Sequence, residues 1–466
     1  MAKPIFIGGT SSHAGKSWMT TAICARLRQR GIRVAPFKAQ NMSNNSYPCS
    51  AGGEIGRAQA AQAWACGLEA EPAMNPILLK PNSDGGSQVV VNGKVWKTLP
   101  ARVYYEHFDF LLGQVLNAYE SLASRFDVIV MEGAGSVTEL NLRQFDLVNL
   151  GLATRVQAPW LLVADIERGG VFASVIGTVG LLTPEERASL RAFAVNKFRG
   201  DVSLFDDGRR MLEDRTGCAC LGVFPFASDI YLDDEDSLGV TGAGNPASAP
   251  AGQRCAIVRF PRISNTTDFR LLPDARWITA PPEEHFDFIF LPGTKSTAAD
   301  LEWLRSRDLE AWIVEEHRRG ATVIGICGGY QMLGEGISDP QHVESPRDEI
   351  AGLGLLPICT ELSPGKITRV VSARTEANCC FTAYEIHMGE TTASRPGMPP
   401  FAILDDGTRD GMRAGRVIGT YLHGAFEVPA ILAEFGIAGR SDRARSHALL
   451  AEWFAPYTEQ FASLFL

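Results

Sequence analysis

The sequence predicts an α/β chain built from two doubly wound, mostly parallel-sheet domains. Three observations lead there. Short apolar runs rich in β-formers recur along the chain, nearly continuous rather than alternating with polar residues, as strands buried on both faces of a parallel sheet require. The spacers between them are long enough to carry crossover helices. Near the middle, residues 239–253 read GVTGAGNPASAPAGQ, a stretch rich in Gly, Ala, Pro and Ser without charge or periodicity, and the alternation restarts after it.

In order, PIFIG is the first strand. A helix follows Lys16, with Met19, Ala22, Ile23 and Leu27 on one face and Gly31 as its stop. IRVAPFK, FDVIVMEG, APWLLVADI and AFAVNKF are the next strands. Beyond the linker come CAIVRF, FDFIFLPG, ATVIGICGG and RVIGTYLHG, with helical spacers such as DLEWLRSRDLEAWIVEEHRR. The predicted domains are therefore 1–238 and 254–466, joined by 239–253.

Composition narrows the function classes. The 466 residues are 45% hydrophobic and 21% charged, an ordinary globular balance, which suits more than one domain. A net charge of -9 with no basic block gives no support to a nucleic-acid or membrane-surface partner. No apolar run approaches a spanning helix, and the run before Gly8-Gly9 is too short for a signal-peptide core. The ten cysteines are scattered, a pattern of reduced thiols in a cytoplasmic protein rather than of a disulfide framework or zinc site.

The stretch GGTSSHAGKS, between the first strand and the first helix, carries the first chemical signal. A glycine-rich turn there aims backbone N–H groups and a helix start at an anion. Five residues separate Gly9 from Gly15, one more than the Walker spacing. Read as a nucleotide site, Gly9, Thr10 and Gly15 form the cradle, Lys16 reaches the outer phosphates and Ser17 ligates Mg²⁺. The bland alternative is a strand-to-helix turn capped by Ser and Gly.

Polar residues at other strand ends fit a nucleotide. Glu132 ends the VIVMEG strand at the carboxyl edge, where open α/β sheets bind ligands, and is a candidate Mg²⁺ ligand or else a solvated loop acid. Lys38 closes IRVAPFK in the same way, or is a surface lysine. Glu54 is a further candidate for the metal. Asp146, in a polar cluster with Glu139, Asn141 and Asn149, either faces the nucleotide, binding metal or orienting an acceptor carboxylate, or caps the following helix.

The second signal is ATVIGICGGYQMLG. An apolar strand ends at Cys327, glycines follow at 328 and 329, and a helical pattern begins. That is the strand–turn–helix order of a nucleophile elbow, with a helix start to favour the thiolate. The N–H groups of Gly328 and of Gly293, in FLPGTKS, are candidate oxyanion donors. A cysteine nucleophile needs a base. His423 follows an apolar strand in RVIGTYLHGAF, and His387 in YEIHMGE, with Glu385 nearby, is its competitor. Position 425 is Ala, so no third member is visible two residues after His423.

The expanded G-T-x-x-x-x-G-K-S loop resembles that of dethiobiotin synthetase and its relatives, which use ATP to activate a carboxylate. GICGGYQMLG with a downstream YLHG resembles a class I glutamine amidotransferase domain, of the variant that keeps Cys and His but lacks the H-x-E glutamate. In this order the two resemble the cobyrinic acid amidating enzymes. The motifs PFKAQNMSNNSY, EIGRAQAAQA, MNPILLKPNSDGGSQVVVNGK, NKFRGD and LPGTKST extend the likeness over nearly the whole chain. They are similar to the branch that amidates the b, d, e and g carboxylates of adenosylcobyrinic acid a,c-diamide in cobalamin biosynthesis.

The resemblance implies residues 1–238 as an ATP- and Mg²⁺-dependent amide synthetase and 254–466 as the glutamine-hydrolysing domain, with Cys327 and His423 catalytic. Its partners are then the corrinoid and glutamine. His13 inside the phosphate loop departs from the pattern. The alternatives are the enzyme of the same family that makes the a,c-diamide, and a switch ATPase carrying an inactive amidotransferase-like domain.

Overall fold

The structure is a computed structural model that describes residues 2–81, 86–227, 230, 232, 253–272, 275–439 and 443–466. The chain divides into two compact units. The first comprises Met1–Ser43, Gly53–Asp233 and Arg443–Leu466, and the second Asn44–Gly52 and Asp234–Asp442. Apart from Gln253, the predicted linker 239–253 lies outside the described residues.

In the first unit, six strands run in the order Ala219–Pro225, Leu190–Phe198, Trp160–Asp165, Lys3–Gly9, Val128–Glu132, Val34–Phe37. Every pairing is parallel. Five of the six are the predicted apolar runs, Ala219–Pro225 being the one not foreseen, and Val128–Glu132 and Trp160–Asp165 are buried at every position. Helices cover both faces, and the six carboxyl ends lie along one edge, where Gly9, Glu132 and Asp165 close their strands. A second sheet of four strands, Gln40–Met42, Ile77–Pro81, Gly86–Val91 and Lys94–Pro100, is appended to this unit.

The second unit repeats the plan. Its main sheet runs Arg276–Ile278, Cys255–Val258, Phe288–Leu291, Thr322–Ile326, Val417–Thr420, Met412–Ala414. All pairs are parallel except the last, in which Met412–Ala414 is antiparallel. Not foreseen is the long antiparallel hairpin of Ile358–Thr375 and Cys380–Ala393, whose strands mix exposed and buried positions and lack the continuous apolar pattern of the parallel sheet.

The chain's ends and its division also differ from expectation. Residues Arg443–Leu466 belong to the first unit, not the second, and Asn44–Gly52 belongs to the second, not the first. The reason for the former is apolar area. The helix Lys16–Gln29 buries not one face but nearly its whole circumference, from Met19 to Ala25 without a break. Leu450, Ala451, Phe454, Phe461 and Phe465 pack into the same core as Met19, Ile23 and Leu27. Phe224 anchors the seam, with Tyr457 4.0 Å and Trp453 4.9 Å away between ring centroids. Hydrogen bonds from Tyr457 Oη to the Val223 carbonyl (2.8 Å) and from Arg26 Nε to Thr458 Oγ1 (3.0 Å) orient it.

All ten cysteines are free thiols. No helix among the described residues is long and apolar enough to cross a membrane.

Truncating Phe454 to alanine is expected to destabilise the first unit by about 3–5 kcal/mol, the usual result of deleting a fully buried aromatic ring. Urea unfolding followed by intrinsic fluorescence measures it. A change below about 1 kcal/mol is the outcome of a C-terminal segment that packs only loosely.

Candidate active sites

Four adjacent parallel strands of the second unit send their following loops to one place. Cys327 directly follows Thr322–Ile326 and stands at φ 54°, ψ −112°, a strained conformation for a residue with a side chain. The strain is held by packing: a Cβ on Gly329 would sit 1.9 Å from the Leu291 carbonyl oxygen. Only glycine lets the turn press against the neighbouring strand, as a nucleophile elbow demands. Cys327 is buried, and its Sγ donates to the Ile386 carbonyl at 3.4 Å, on the long hairpin.

His423, fully buried, follows the next strand. Its Nδ1 lies 2.8 Å from Asp268 Oδ2, while the other oxygen of Asp268 accepts from the Gly424 N–H at 2.6 Å. The carboxylate therefore sets the tautomer, with the proton on Nδ1, leaving Nε2 for the thiol. Burial alone would disfavour a charged ring, but the hydrogen bonds to Asp268 and Cys327 and the negative charge of a deprotonated Cys327 sulfur outweigh it, so a ring that has taken the thiol's proton holds it with a pKa raised to about 10. Asp268 is a carboxylate partner of His423 that sequence spacing did not reveal. It precedes the histidine by 155 positions and comes from the short helical turn Thr266–Phe269. Nothing in SNTTDF marks it.

Gly293 follows the strand Phe288–Leu291 and lies against the histidine: a Cβ there would come within 2.9 Å of His423 Cε1. A Cβ on Gly328 would meet Thr294 Cγ2 at 2.7 Å and Thr294 N at 3.2 Å, so the two predicted oxyanion segments are close neighbours. His387, the competing base, stacks on Tyr421 at 3.7 Å, and its Nε2 is 3.9 Å from Glu385 Oε1. Around them Gln331 Nε2 donates to the Met388 carbonyl (2.9 Å) and Tyr421 Oη (3.1 Å).

The first unit builds its site on the same kind of edge. The loop after Lys3–Gly9 leads into the helix Lys16–Gln29 through Gly15 at φ 100°. Lys16 folds back so that Nζ donates to the carbonyls of Ser11 (3.0 Å) and Gly135 (2.8 Å). Thr10 N–H bonds to the Val163 carbonyl (3.0 Å), which ties the loop to the adjacent strand. Two residues that the sequence offered only within the NKFRGD motif complete the cradle. Asn196 Nδ2 donates to the Ala14 carbonyl (3.1 Å), and Lys197 Nζ bridges the His13 carbonyl (2.6 Å) and Asp165 Oδ2 (2.9 Å).

Glu132 sits at the centre of a buried cluster. Its Oε1 accepts from Ser17 Oγ (2.8 Å) and Lys38 Nζ (3.0 Å), and its Oε2 from Gln62 Nε2 (2.5 Å). Burial pushes the carboxyl up, but the Lys38 ammonium and the hydrogen bonds from Gln62 and Ser17 bring it below the usual range, so it is ionised. Ser17 and Glu132 are hard oxygen donors side by side, which fits Mg²⁺, an ion that keeps several waters and takes phosphate oxygens for the rest.

Two expectations are redrawn. Glu54 forms a buried ion pair with Lys80 at 2.5 Å, which accounts for its charge without a metal. Asp146 is a cap: Oδ1 accepts from Val148 N (3.1 Å) and Asn149 N (2.7 Å), and Oδ2 from Gly151 N (2.8 Å), at the start of the helix Leu150–Arg155. Backbone donors engage both oxygens because three N–H groups at that helix start would otherwise lack acceptors. Through Asn149, which clasps Ala134 with bonds of 3.0 and 2.8 Å, the cap braces the loop beyond Glu132.

Comparison with known proteins divides the chain in sequence order. Residues 5–238 match the CobQ/CobB/MinD/ParA nucleotide binding domain, and residues 254–430 the CobB/CobQ-like glutamine amidotransferase domain. Over 435 residues the chain is 47% identical to the cobyric acid synthase of Rhodococcus jostii, covering 91% of this chain and 84% of that one. The cobyric acid synthase of Bacteroides fragilis is 46% identical over 444 residues (92% and 89%), and that of Dehalococcoides mccartyi 43% over 461 (93% and 90%). The chain belongs to the cobyric acid synthase family. It carries that family's ATP-binding domain in the first unit and its glutamine amidotransferase domain in the second.

In this cobyric acid synthase family member Gly15 has two reasons to be glycine, the positive φ and a Cβ position 2.0 Å from Asn196 Nδ2. Gly15→Ala is expected to abolish the thermal stabilisation that Mg·ATP gives, with about 1–3 kcal/mol of local strain. Differential scanning fluorimetry with and without Mg·ATP reads both. An unchanged ATP-induced shift is the outcome of a loop that does not hold phosphate.

Proposed function

We propose that this chain converts adenosylcobyrinic acid a,c-diamide to cobyric acid, amidating the b, d, e and g side-chain carboxylates with ammonia from glutamine and with ATP as activator. The observation that carries the reading is the presence in one chain of a strained, buried cysteine beside a His423–Asp268 pair and of a phosphate-loop lysine and serine gathered at an ionised glutamate.

The division of labour follows from chemistry. A carboxylate is a poor electrophile, and free ammonia is scarce. In the second unit the Cys327 thiol gives its proton to His423 Nε2, and the sulfur attacks the carboxamide carbon of glutamine. Backbone N–H groups at Gly293 and Gly328 receive the developing oxyanion. The imidazolium, steadied by Asp268, returns the proton to the departing ammonia, leaving a γ-glutamyl thioester that water hydrolyses to glutamate. In the first unit a corrinoid carboxylate oxygen attacks the γ-phosphorus of ATP and ADP leaves. Ammonia then attacks the acyl phosphate carbon, phosphate leaves, and an amide remains. Lys16 and the loop N–H groups hold the phosphates; Ser17 and Glu132 would hold Mg²⁺, which offsets phosphate charge as it builds.

Incubation with adenosylcobyrinic acid a,c-diamide, Mg·ATP and glutamine, followed by mass spectrometry of the corrinoid, tests the reading. Each step replaces OH by NH₂, so the amidations are counted directly. ATP hydrolysis without any change in the corrinoid would point instead to the switch ATPase. Cys327→Ser is expected to abolish glutamine-dependent synthesis and spare ammonia-dependent synthesis. Asp268→Asn should slow glutamine hydrolysis roughly 10²–10⁴-fold with the ammonia reaction intact, as loss of the tautomer-setting carboxylate does elsewhere. Lys16→Ala should stop synthesis from either nitrogen source; normal turnover from ammonia would contradict the assignment of the loop.

A further inference from the structure

The segment Asn44–Gly52 belongs to the second unit, although the chain on either side of it, up to Ser43 and from Gly53, belongs to the first. Within the second unit it meets the surroundings of His423 by two routes. Asn45 Oδ1 accepts from the Asn265 N–H at 2.8 Å, and Ser46 N–H donates to Asn265 Oδ1 at 3.1 Å. Asn265 is buried, in the left-handed region at φ 54°, and its Nδ2 lies 3.4 Å from His423 Nε2. Tyr47 packs edge-on against Tyr384 at 5.1 Å, and Tyr384 stacks on the His423 ring at 5.3 Å and exchanges two backbone hydrogen bonds of 2.9 Å with it.

The orientation of the Asn265 amide follows from its partners. A backbone N–H only donates, so Ser46 N–H requires the amide oxygen on its side. The NH₂ group is left facing His423 Nε2. Asp268 holds the proton on Nδ1, so while the Cys327 thiol keeps its proton Nε2 presents a lone pair, and Asn265 offers a donor to the same lone pair that must take that proton. Once Nε2 is protonated, the contact becomes donor against donor. With Ser46 and Asn45 in place, Asn265 opposes formation of the imidazolium. With them withdrawn, the amide is free to turn its oxygen to Nε2 and stabilise it instead.

We propose that Asn265 is a positioning residue for His423, set by Asn45 and Ser46, and that the segment Asn44–Gly52 restrains glutamine hydrolysis until the amide-forming unit is engaged. This rests on the glutaminase reading above. The segment is suited to the task because both its ends are covalently continuous with the first unit, so a change in residues 40–43 or 53–56 on substrate binding pulls on it directly.

The test measures glutamate release by the full-length chain with glutamine alone, and again with Mg·ATP and the corrinoid diamide added, together with the rate of Cys327 alkylation by iodoacetamide at neutral pH. Asn265→Ala and Asn45→Ala are expected to raise the basal rate and the alkylation rate roughly threefold to tenfold, the range of one lost hydrogen bond, and to shrink the stimulation by ATP and corrinoid. Asn45→Ala leaves the Asn265 side chain in place and guards against a folding defect in the first variant. Basal rates and stimulation equal to wild type in both variants would overturn the proposal, as would a fall in both rates, which marks a merely supportive residue. Wild-type protein that releases no glutamate even with Mg·ATP and the corrinoid diamide present, and whose Cys327 resists alkylation there too, would overturn the glutaminase reading itself, a result distinct from either.

Discussion

A parallel sheet buried on both faces leaves one place for chemistry, and the rest of this structure depends on that constraint. Side chains within such strands point into helices, and the amino edge receives the returning crossovers. Only the carboxyl edge opens onto loops that begin together and point the same way. Gly9, Glu132 and Asp165 end neighbouring strands of one sheet, and Leu291, Ile326 and Thr420 neighbouring strands of the other. Groups far apart in the chain thus meet without any long-range design beyond strand order. Cys327 and His423 follow adjacent strands in parallel register, with Ile326 opposite Thr420.

Burial gives both clusters their chemistry and also makes them expensive. An unpaired ion in the interior costs several kcal/mol, so each charge is matched. Glu132 is compensated by Lys38, Gln62 and Ser17, and His423 by Asp268, whose second oxygen is occupied by a backbone N–H. Such matching pre-sets protonation states. Glu132 is held ionised, as a ligand for a hard cation must be, and His423 is held with Nδ1 protonated and Nε2 turned to the thiol. The same economy explains Asp146 and Glu54. Each is already satisfied, by helix-start N–H groups and by Lys80 respectively, so neither has charge to spare.

The division of the chain follows apolar area rather than sequence order. The helix after the phosphate loop is buried almost all round, and the C-terminal helices supply the missing cover. A segment from the middle of the first unit's sequence completes the second. The chain thereby passes between the two units four times, which suits reactions that must run in step.

Local chemistry determined much by itself. Continuous apolar runs placed all nine predicted strands, because burial on both faces leaves no polar positions to confuse the period. Glycine-lysine-serine after a strand, and cysteine-glycine-glycine after another, were legible because those turns demand small residues at fixed offsets. Glu132, Lys38 and His423 were legible from position alone, as polar residues where apolar strands stop. What tertiary structure decided is whatever depends on pairing between distant segments. Asp268 sits in a short turn with no periodic signal and becomes the partner of His423 only through strand order. The long hairpin that carries Ile386 has an amphipathic pattern too mixed to read. Asn45 and Asn265 are ordinary polar residues in sequence, and their meaning lies in a hydrogen bond across 220 positions. Spacing encodes turns and strands, but which carboxylate faces which imidazole is settled only when the sheet is assembled.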